Sequence, residues 1–287
     1  MTVKMGIPNK GRLNERAVEL LVKSGIDLGE DWGRRLYVTA KNQDIEILFV
    51  RAQDIPAFIS AGAIDFGITG EDMVAESGYS LKKIADLEFG RCHLSIAAPE
   101  ASGIRTADDI PNGSRIATSF PNLTGKYFKK LGKDVKIVEV SGAAEIMPYL
   151  GVADMISDLV ASGSTLKINR LVEVCKILDS QAAIFGPSKA DPSKKGEIMD
   201  VVDSIRSVIA AEDKKYLMAN VPKTKLAKVQ ELLPGINGAT VMEISGNPDM
   251  VAVQVVVASS EMYRVVNSLK KLGATGILTV AIDRLVE

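Results

Sequence analysis

The stretch Ile45–Ser77, IEILFVRAQDIPAFISAGAIDFGITGEDMVAES, predicts the fold class because it repeats one rhythm twice. The apolar, β-branched run Ile45–Val50 predicts a strand, and Asp54–Ala61 predicts a helix that a glycine ends. Asp65–Gly70 then predicts a short buried strand, and Glu71–Ser77 predicts the next helix. Strands that alternate with helices in this way indicate an α/β architecture with a largely parallel sheet.

The same rhythm continues on both sides of this stretch. Val3–Ile7 predicts an earlier strand, and a second α/β unit begins near Cys92, with strand candidates at 115–119 and 154–158. The apolar run 182–185 could return the chain to the first unit. We therefore predict two lobes with more than one crossing between them, an arrangement that places a ligand cleft at the crossing.

The last part of the chain changes character from about Lys214 onward. Its apolar runs and amphipathic segments follow the order βαββαβ, which is the ferredoxin-like pattern. Modules of this size often bind a ligand or a subunit partner.

Composition excludes several classes of protein. The 287 residues allow two or three domains, and 35 Lys and Arg against 36 Asp and Glu disfavour a general nucleic-acid binder. Cys92 and Cys175 are the only cysteines and His93 is the only histidine, so a disulfide framework, a structural zinc site and a catalytic triad are disfavoured. With no apolar N-terminal segment and no membrane-length apolar run, we expect a cytoplasmic protein without membrane contact.

Asp154–Leu166 (DMISDLVASGSTL) is the strongest candidate site. A predicted strand ends at Asp158, and ligands of open α/β sheets bind beyond the carboxyl ends of strands. The turn Ser162–Thr165 offers hydroxyls, clustered N–H donors and a glycine that permits close approach, as a phosphate monoester requires. A carboxylate accepts hydrogen bonds from a sugar diol. The alternative is a structural turn with a helix cap, but the combination favours a ribose 5-phosphate.

Other polar residues follow predicted strands of the first lobe. Asn9–Arg12 places two cations beside a glycine, and Arg51 and Gly70–Asp72 fall on the same predicted sheet edge. Asn9–Arg12 alone is more simply interpreted as a helix cap with solvated cations. Arg51 and Gly70–Asp72 each fit a surface position equally well, and their convergence on one edge strengthens a ligand site. Glu145, in a predicted helix around 143–150, is more often a partner of the helix dipole than a catalytic group.

Five segments are characteristic when taken in order along the chain: Pro8–Leu13 (PNKGRL), Val50–Pro56 (VRAQDIP), Asp65–Asp72 (DFGITGED), Arg115–Pro121 (RIATSFP) and Gly151–Leu166 (GVADMISDLVASGSTL). Together they resemble ATP phosphoribosyltransferase, the first enzyme of histidine biosynthesis. The resemblance covers essentially the whole chain, and the C-terminal module resembles the regulatory domain of the long form.

The resemblance implies an α/β catalytic body of two lobes, of the periplasmic-binding-protein kind (type II), followed by a ferredoxin-like βαββαβ regulatory domain. We place catalytic domain I at 1–91 plus 182–212, catalytic domain II with the phosphoribosyl-binding loop at 92–181, and the regulatory domain at 213–287. The short form depends on a separate partner protein, so this chain is expected to be self-sufficient.

The resemblance also implies Mg²⁺-dependent transfer of phosphoribose from phosphoribosyl pyrophosphate (PRPP) to N1 of ATP, with release of pyrophosphate. PRPP is expected to contact Asp158, Ala161, Ser162, Gly163, Ser164 and Thr165. ATP and pyrophosphate are expected to contact Lys10, Gly11, Arg12, Arg51, Glu71, Asp72 and Glu145. No residue is assigned as acid or base, and the protein ligands of Mg²⁺ are left open.

The family's long form is inhibited by histidine and changes between dimer and hexamer, so the same is expected here. The histidine pocket would be expected at Asn220, Thr240 and Thr279. Asn220 stands where an acidic residue would better pair with the histidine ammonium.

Two other functions compete with this interpretation. A two-lobe sensor without catalysis would share the fold, and prephenate dehydratase also joins such a body to an effector domain. The Thr-Arg-Phe signature of that dehydratase is absent. Pyrophosphate release that requires ATP, PRPP and Mg²⁺ together separates the three.

Overall fold

A computed structural model describes residues 2–30, 32–233, 235 and 238–286. The chain divides into two compact units, 1–202 and 203–287. Across the described ranges, no helix is both long enough and apolar enough to cross a membrane.

The first sheet belongs to the N-terminal unit. Its strands are β1 (Val3–Pro8), β2 (Tyr37–Thr39), β3 (Ile45–Val50), β4 (Phe66–Gly70), β5 (Leu81–Asp86) and β11 (Ala182–Pro187). They lie in the order β2-β3-β1-β4-β11-β5, and β1, β3 and β4 are parallel. The helices that accompany this sheet are α1 (Gly11–Lys23), α2 (Ile55–Ser60) and α3 (Glu71–Ser77).

The second sheet has five strands. They are β6 (Cys92–Pro99), β7 (Ser114–Thr118), β8 (Val135–Glu139), β9 (Met155–Val160) and β10 (Leu171–Ser180), in the order β10-β6-β9-β7-β8. The α-helices of this lobe are α4 (Pro121–Leu131) and α5 (Ser164–Ile168).

The two sheets share one topology. The order is β3-β1-β4-β11-β5 in the first sheet and β8-β7-β9-β6-β10 in the second. The fourth strand of each is antiparallel to its neighbours and is the first strand after the chain leaves the other sheet, because β6 follows β5 and β11 follows β10. The chain therefore crosses between the lobes twice. This is the strand order of the type II periplasmic-binding-protein fold, so the predicted two-lobe fold is confirmed.

Apolar patterning explains why the first lobe packs. The central strand β1 is buried on both faces, as parallel strands covered by helices are. Amphipathic α1 buries Ala17, Leu20 and Leu21. A side chain at Gly67 would stand 2.7 Å from the carbonyl oxygen of Gly6 and 3.0 Å from Ile55, so glycine is required for close packing there.

The C-terminal unit has its own sheet and core. Helix α6 (Lys195–Ala211) is followed by β12 (Lys214–Pro222), α7 (Leu226–Leu232), β13 (Thr240–Glu243), β14 (Met250–Ala258), α8 (Met262–Lys271) and β15 (Thr275–Ala281). The antiparallel order β13-β14-β12-β15 with two helices on one face confirms the predicted ferredoxin-like fold. Leu217, Val253 and Leu269 lie at the centre of its core.

Candidate active site

The loop that is the candidate phosphate site follows β9 directly. Ala161 and Ser162 leave the strand, Gly163 takes the left-handed conformation at φ +72°, and α5 begins at Ser164. A Cβ at Gly163 would meet nothing within 4 Å, so the backbone torsion alone favours glycine there. The Ser162 and Ser164 hydroxyl oxygens are 3.0 Å apart, and both residues are exposed or partly exposed together with Thr165. The loop thus presents three hydroxyls on an open surface.

Asp158 lies within β9. The sequence predicts a strand that ends at this residue, but β9 continues to Val160 because it also pairs with β6. The parallel neighbour β7 ends at Thr118, which pairs with Ser157. Asp158 is therefore one residue beyond the carboxyl edge of the parallel strands. Its carboxylate is partly buried and accepts a hydrogen bond from the Leu159 N–H at 2.8 Å.

Glu145 lies in the same lobe as Asp158. The sequence predicts a helix around 143–150, but only a 3₁₀ turn forms at Ala144–Ile146, because Ala143 is left-handed at φ +53° and Pro148 disfavours continuation. Burial raises the pKa of Asp158, and the charge of Glu145 adds to the rise. Glu145 is therefore grouped with the phosphate loop, and not with the candidates of the first lobe.

The cations expected on the nucleotide side gather at one edge of the first sheet. β1 and β3 end side by side, since Pro8 pairs with Val50, and the next N–H, that of Asn9, donates to the Val50 carbonyl at 2.8 Å. The side chains beyond this edge are exposed and have no hydrogen-bond or ion-pair partner among the residues that the structure describes. These side chains belong to Lys10, Arg12 and Arg51, and Gly11 lies between the first two.

Glu71 and Asp72 open α3 but have different surroundings. Glu71 is partly exposed and accepts a hydrogen bond from Lys83 Nζ at 2.8 Å. Asp72 is 3% exposed; it lies against Gly70 and accepts a hydrogen bond from the Ser180 hydroxyl at 2.6 Å. Burial raises the pKa of Asp72. Protein therefore encloses the carboxylate of Asp72, whereas that of Glu71 is partly exposed.

The histidine His93 pairs with an acid of a neighbouring strand. His93 Nε2 is 2.8 Å from Glu173 Oε1, and the Ser95 hydroxyl donates to that oxygen at 3.0 Å and to the Cys175 carbonyl at 2.7 Å. The serine therefore faces a carboxylate and not the imidazole. No cluster of three or more His, Cys, Asp or Glu side chains suited to a metal occurs in the described part of the chain.

The expected effector residues do not share one face of the C-terminal sheet. Leu217 is buried under the helices, and Thr279 pairs with it, so Thr279 lies on the helix side. Asn220 alternates with buried neighbours and lies on the opposite face. Thr240 pairs with Gln254, which alternates in the same way. The structure therefore keeps Asn220 and Thr240 on one face and separates Thr279 from them.

The chain matches two models of one protein family. The family model HisG, described as ATP phosphoribosyltransferase, matches residues 51–207, and the model of the HisG C-terminal domain matches residues 211–284. The ATP phosphoribosyltransferase of Gemmatimonas aurantiaca is 44% identical over 99% of both chains. That of Methanopyrus kandleri is 43% identical, again over 99% of both.

A solved structure agrees with the sequence relatives. The ATP phosphoribosyl transferase (HisG:HisZ) complex from Thermotoga maritima contains a chain that matches 72% of this chain and 98% of its own length, with a TM-score of 0.63 and 26% identity. Since the second family model covers the remaining C-terminal part, the full chain is accounted for. The chain belongs to the ATP phosphoribosyltransferase family, in its long form, and is a pentosyltransferase of the first step of histidine biosynthesis.

Proposed function

We propose that the protein transfers the phosphoribosyl group of PRPP to N1 of ATP and releases pyrophosphate. The observation that carries this proposal is the position of Asp158 next to an exposed Ser162–Thr165 loop, beyond the carboxyl edge of the second sheet. A carboxylate can accept hydrogen bonds from two ribose hydroxyls, and a hydroxyl-rich turn can bind a phosphate. The two lie close together in the sequence, and together they suit the ribose 5-phosphate part of PRPP.

The proposed PRPP site lies in the second lobe. Asp158 would accept hydrogen bonds from the ribose hydroxyls, and Glu145 lies in the same lobe, on a turn that contacts β9. The 5-phosphate would be bound by Ala161, Ser162, Gly163, Ser164 and Thr165.

The proposed nucleotide and pyrophosphate site lies in the first lobe. Exposed cations without partners among the described residues suit polyphosphate oxygens, which accept charge-assisted hydrogen bonds. They are Lys10, Arg12 and Arg51, with Gly11 between the first two. On this side, the partly exposed carboxylate of Glu71 is open to an adenine amino group. The carboxylate of Asp72 is buried below it.

Catalysis would depend on position and charge. The N1 lone pair forms a bond to ribose C1 as the bond from C1 to the pyrophosphate oxygen breaks, and the electron pair leaves with pyrophosphate. N1 carries no proton, so the reaction requires no general base. His93, which pairs with Glu173, is therefore not needed as a base. Cations at the leaving group stabilise the charge that develops there.

We propose that Mg²⁺ enters with the phosphate groups of the substrates. The described residues offer no cluster of three acidic or soft ligands, and Mg²⁺ is commonly bound through substrate phosphates with at most one or two carboxylates. When bound, it would neutralise pyrophosphate charge. We assign it no protein ligand.

We also propose that two domains carry out catalysis and that a third regulates it. The sheet memberships support catalytic domains at 1–91 plus 182–212 and at 92–181, and a regulatory domain at 213–287. Histidine would inhibit through the last of these, at the sheet face that carries Asn220 and Thr240. We propose a cytoplasmic homo-oligomer that changes between dimer and hexamer.

The regulatory proposal is tested by titrating histidine while the rate and the sedimentation coefficient are recorded. A fall in rate together with a change in oligomer is expected. No change in either would exclude regulation by histidine.

The catalytic proposal is tested by pyrophosphate release in mixtures from which ATP, PRPP or Mg²⁺ is omitted in turn. Release is expected only in the complete mixture. Release without ATP would indicate hydrolysis of PRPP, and no release from the complete mixture would contradict the proposal.

A further inference from the structure

Helix α3 contacts the second lobe from its first turn. The Asp72 N–H donates to Ser180 Oγ at 3.0 Å, and the Ser180 hydroxyl donates back to Asp72 Oδ1 at 2.6 Å. Ser180 is the last residue of β10, which belongs to the second sheet. The pair is nearly fully buried. It therefore joins the two lobes beside one of the points where the chain crosses.

Glu76 makes a second junction, with the first turn of α4. Its two carboxylate oxygens accept hydrogen bonds from the N–H groups of Asn122 at 2.8 Å and Leu123 at 2.9 Å. Asn122 Nδ2 also donates to the Glu76 carbonyl at 3.1 Å. The N-cap residue Phe120 supplies no side-chain cap, and the first turn of α4 has no acidic residue. A carboxylate from the other lobe thus satisfies N–H groups that α4 would otherwise leave unpaired.

The spacing of the two acids makes these contacts parts of one device. Asp72 and Glu76 are four residues apart, so both project from one side of α3, and that side faces the second lobe. A cap that only stabilised a helix end would usually come from the same segment. Asp109 is such a cap, because it accepts the Thr106 N–H at 2.8 Å within the second lobe.

Both helices lead directly to the proposed site. α3 begins at Glu71, on the nucleotide side. On the other side, the Thr124 hydroxyl of α4 donates to the Ser157 hydroxyl at 2.8 Å in the interior, and Asp158 is the next residue. A continuous series of contacts therefore connects the nucleotide side to the ribose side.

We propose that Asp72 and Glu76 are positioning residues that hold the two lobes at the separation at which N1 of ATP meets C1 of PRPP. This inference rests on the proposed function. Neither residue touches a substrate. Because transfer between two bound reactants depends steeply on their separation, loosening α3 lowers kcat by about tenfold or more while each substrate still binds its own lobe.

The first test compares Glu76→Ala and Glu76→Gln with Asp109→Ala, which removes a carboxylate cap of the same kind inside one lobe. Glu76→Ala is expected to lower kcat by about tenfold or more with the Kd values of PRPP and ATP nearly unchanged. Glu76→Gln keeps one acceptor oxygen and is expected to fall between wild type and Glu76→Ala. Asp109→Ala is expected to keep kcat. An equal loss of kcat in Asp109→Ala, or intact kcat in Glu76→Ala, overturns the proposal.

The second test needs no enzymatic activity. Spin labels at Ser60→Cys in the first lobe and Lys130→Cys in the second, both exposed positions, report the inter-lobe distance in a chain whose two native cysteines are replaced by serine. Glu76→Ala is expected to broaden the distance distribution, and Asp109→Ala is expected to leave it unchanged. A distribution that Glu76→Ala does not alter overturns the inference, even if the proposed reaction is confirmed. A broadened distribution supports the junction even if that reaction fails.

Discussion

Asp65 and Asp154 occupy equivalent positions in the two lobes, one residue before β4 and one residue before β9. The carboxylate of Asp65 accepts the Lys4 N–H and that of Asp154 accepts the Arg115 N–H, both at 2.8 Å. Each aspartate N–H donates to the carbonyl of the same partner at 2.9 Å. A cation completes each arrangement, Lys194 for Asp65 and the Arg115 guanidinium for Asp154. The matching topology of the sheets thus extends to individual side chains.

Asp65→Asn is expected to lower the free energy of unfolding by about 1.5–3 kcal/mol, because it leaves the Lys194 ammonium, 18% exposed, without its carboxylate. Asp154→Asn is expected to cost less, since Arg115 and Asp154 are 42% and 45% exposed and water replaces the lost partner. Urea unfolding followed by circular dichroism measures both. A larger loss for Asp154→Asn would contradict this ranking.

Asp158→Asn is expected to weaken PRPP binding by about 10–100-fold, because charge-assisted hydrogen bonds to the ribose are lost. The folded pKa of Asp158 is raised, so its charge opposes folding at neutral pH and this cost disappears as the pH falls through that pKa. The variant should therefore be as stable as wild type, or more stable, at pH 7. Titration calorimetry gives the PRPP affinity, and scanning calorimetry gives the stability.

The control is Asp134→Asn, at the opposite edge of the sheet, which should leave PRPP affinity unchanged. If Asp158→Asn weakened folding but left the PRPP affinity unchanged, the role of Asp158 would be structural.

The affinity for PRPP is expected to depend on pH. Burial and Glu145 raise the pKa of Asp158 above its ordinary value of 3.8, so the carboxyl takes up a proton sooner as the medium is acidified. The protonated acid accepts hydrogen bonds less well, and PRPP affinity should fall as the pH falls through that pKa. Glu145→Gln removes one cause of the shift and should move the decline to lower pH. Titrations of both proteins from pH 7 downward test this; coincident midpoints would exclude the coupling.

Gly163→Ala is expected to raise the KM for PRPP, because a left-handed conformation costs a non-glycine residue about 1–2 kcal/mol and the loop would relax away from it. Gly151→Ala is the matched control. Gly151 has φ +69° and, like Gly163, leaves open space within 4 Å of the position that a Cβ would take, but it lies outside the phosphate loop. The two variants should lose similar stability, and only Gly163→Ala should change the KM. The same KM for PRPP in both variants would show that the loop is not part of the PRPP site.

Local patterns explain what can be predicted from the sequence. Apolar runs of four to six residues between amphipathic segments predict strands such as Ile45–Val50, since buried parallel strands have few polar positions. Strand ends then indicate which polar side chains gather at a sheet edge, as Arg51 and Lys10 do. These patterns do not predict the short strands Tyr37–Thr39 and Leu81–Asp86, because most of the residues in them are not buried.

Tertiary contacts explain the rest. The enclosure of Asp72 depends on Ser180, 108 residues away, and the role of Glu76 depends on Leu123, 47 residues away. No local spacing carries that information. A related reason applies to Thr279 and Asn220: strand pairing decides which face a residue occupies, and Thr279 pairs with the buried Leu217, on the face opposite Asn220.

The proposed reaction joins C1 of PRPP to N1 of ATP, and that new bond can be observed directly. The measurement is nuclear magnetic resonance of the product made from ATP labelled with ¹⁵N at N1 and PRPP labelled with ¹³C at C1. A one-bond ¹³C–¹⁵N coupling is expected to appear in step with pyrophosphate. Pyrophosphate without that coupling, or a ribose attached at another atom of ATP, would show that the protein catalyses a different reaction.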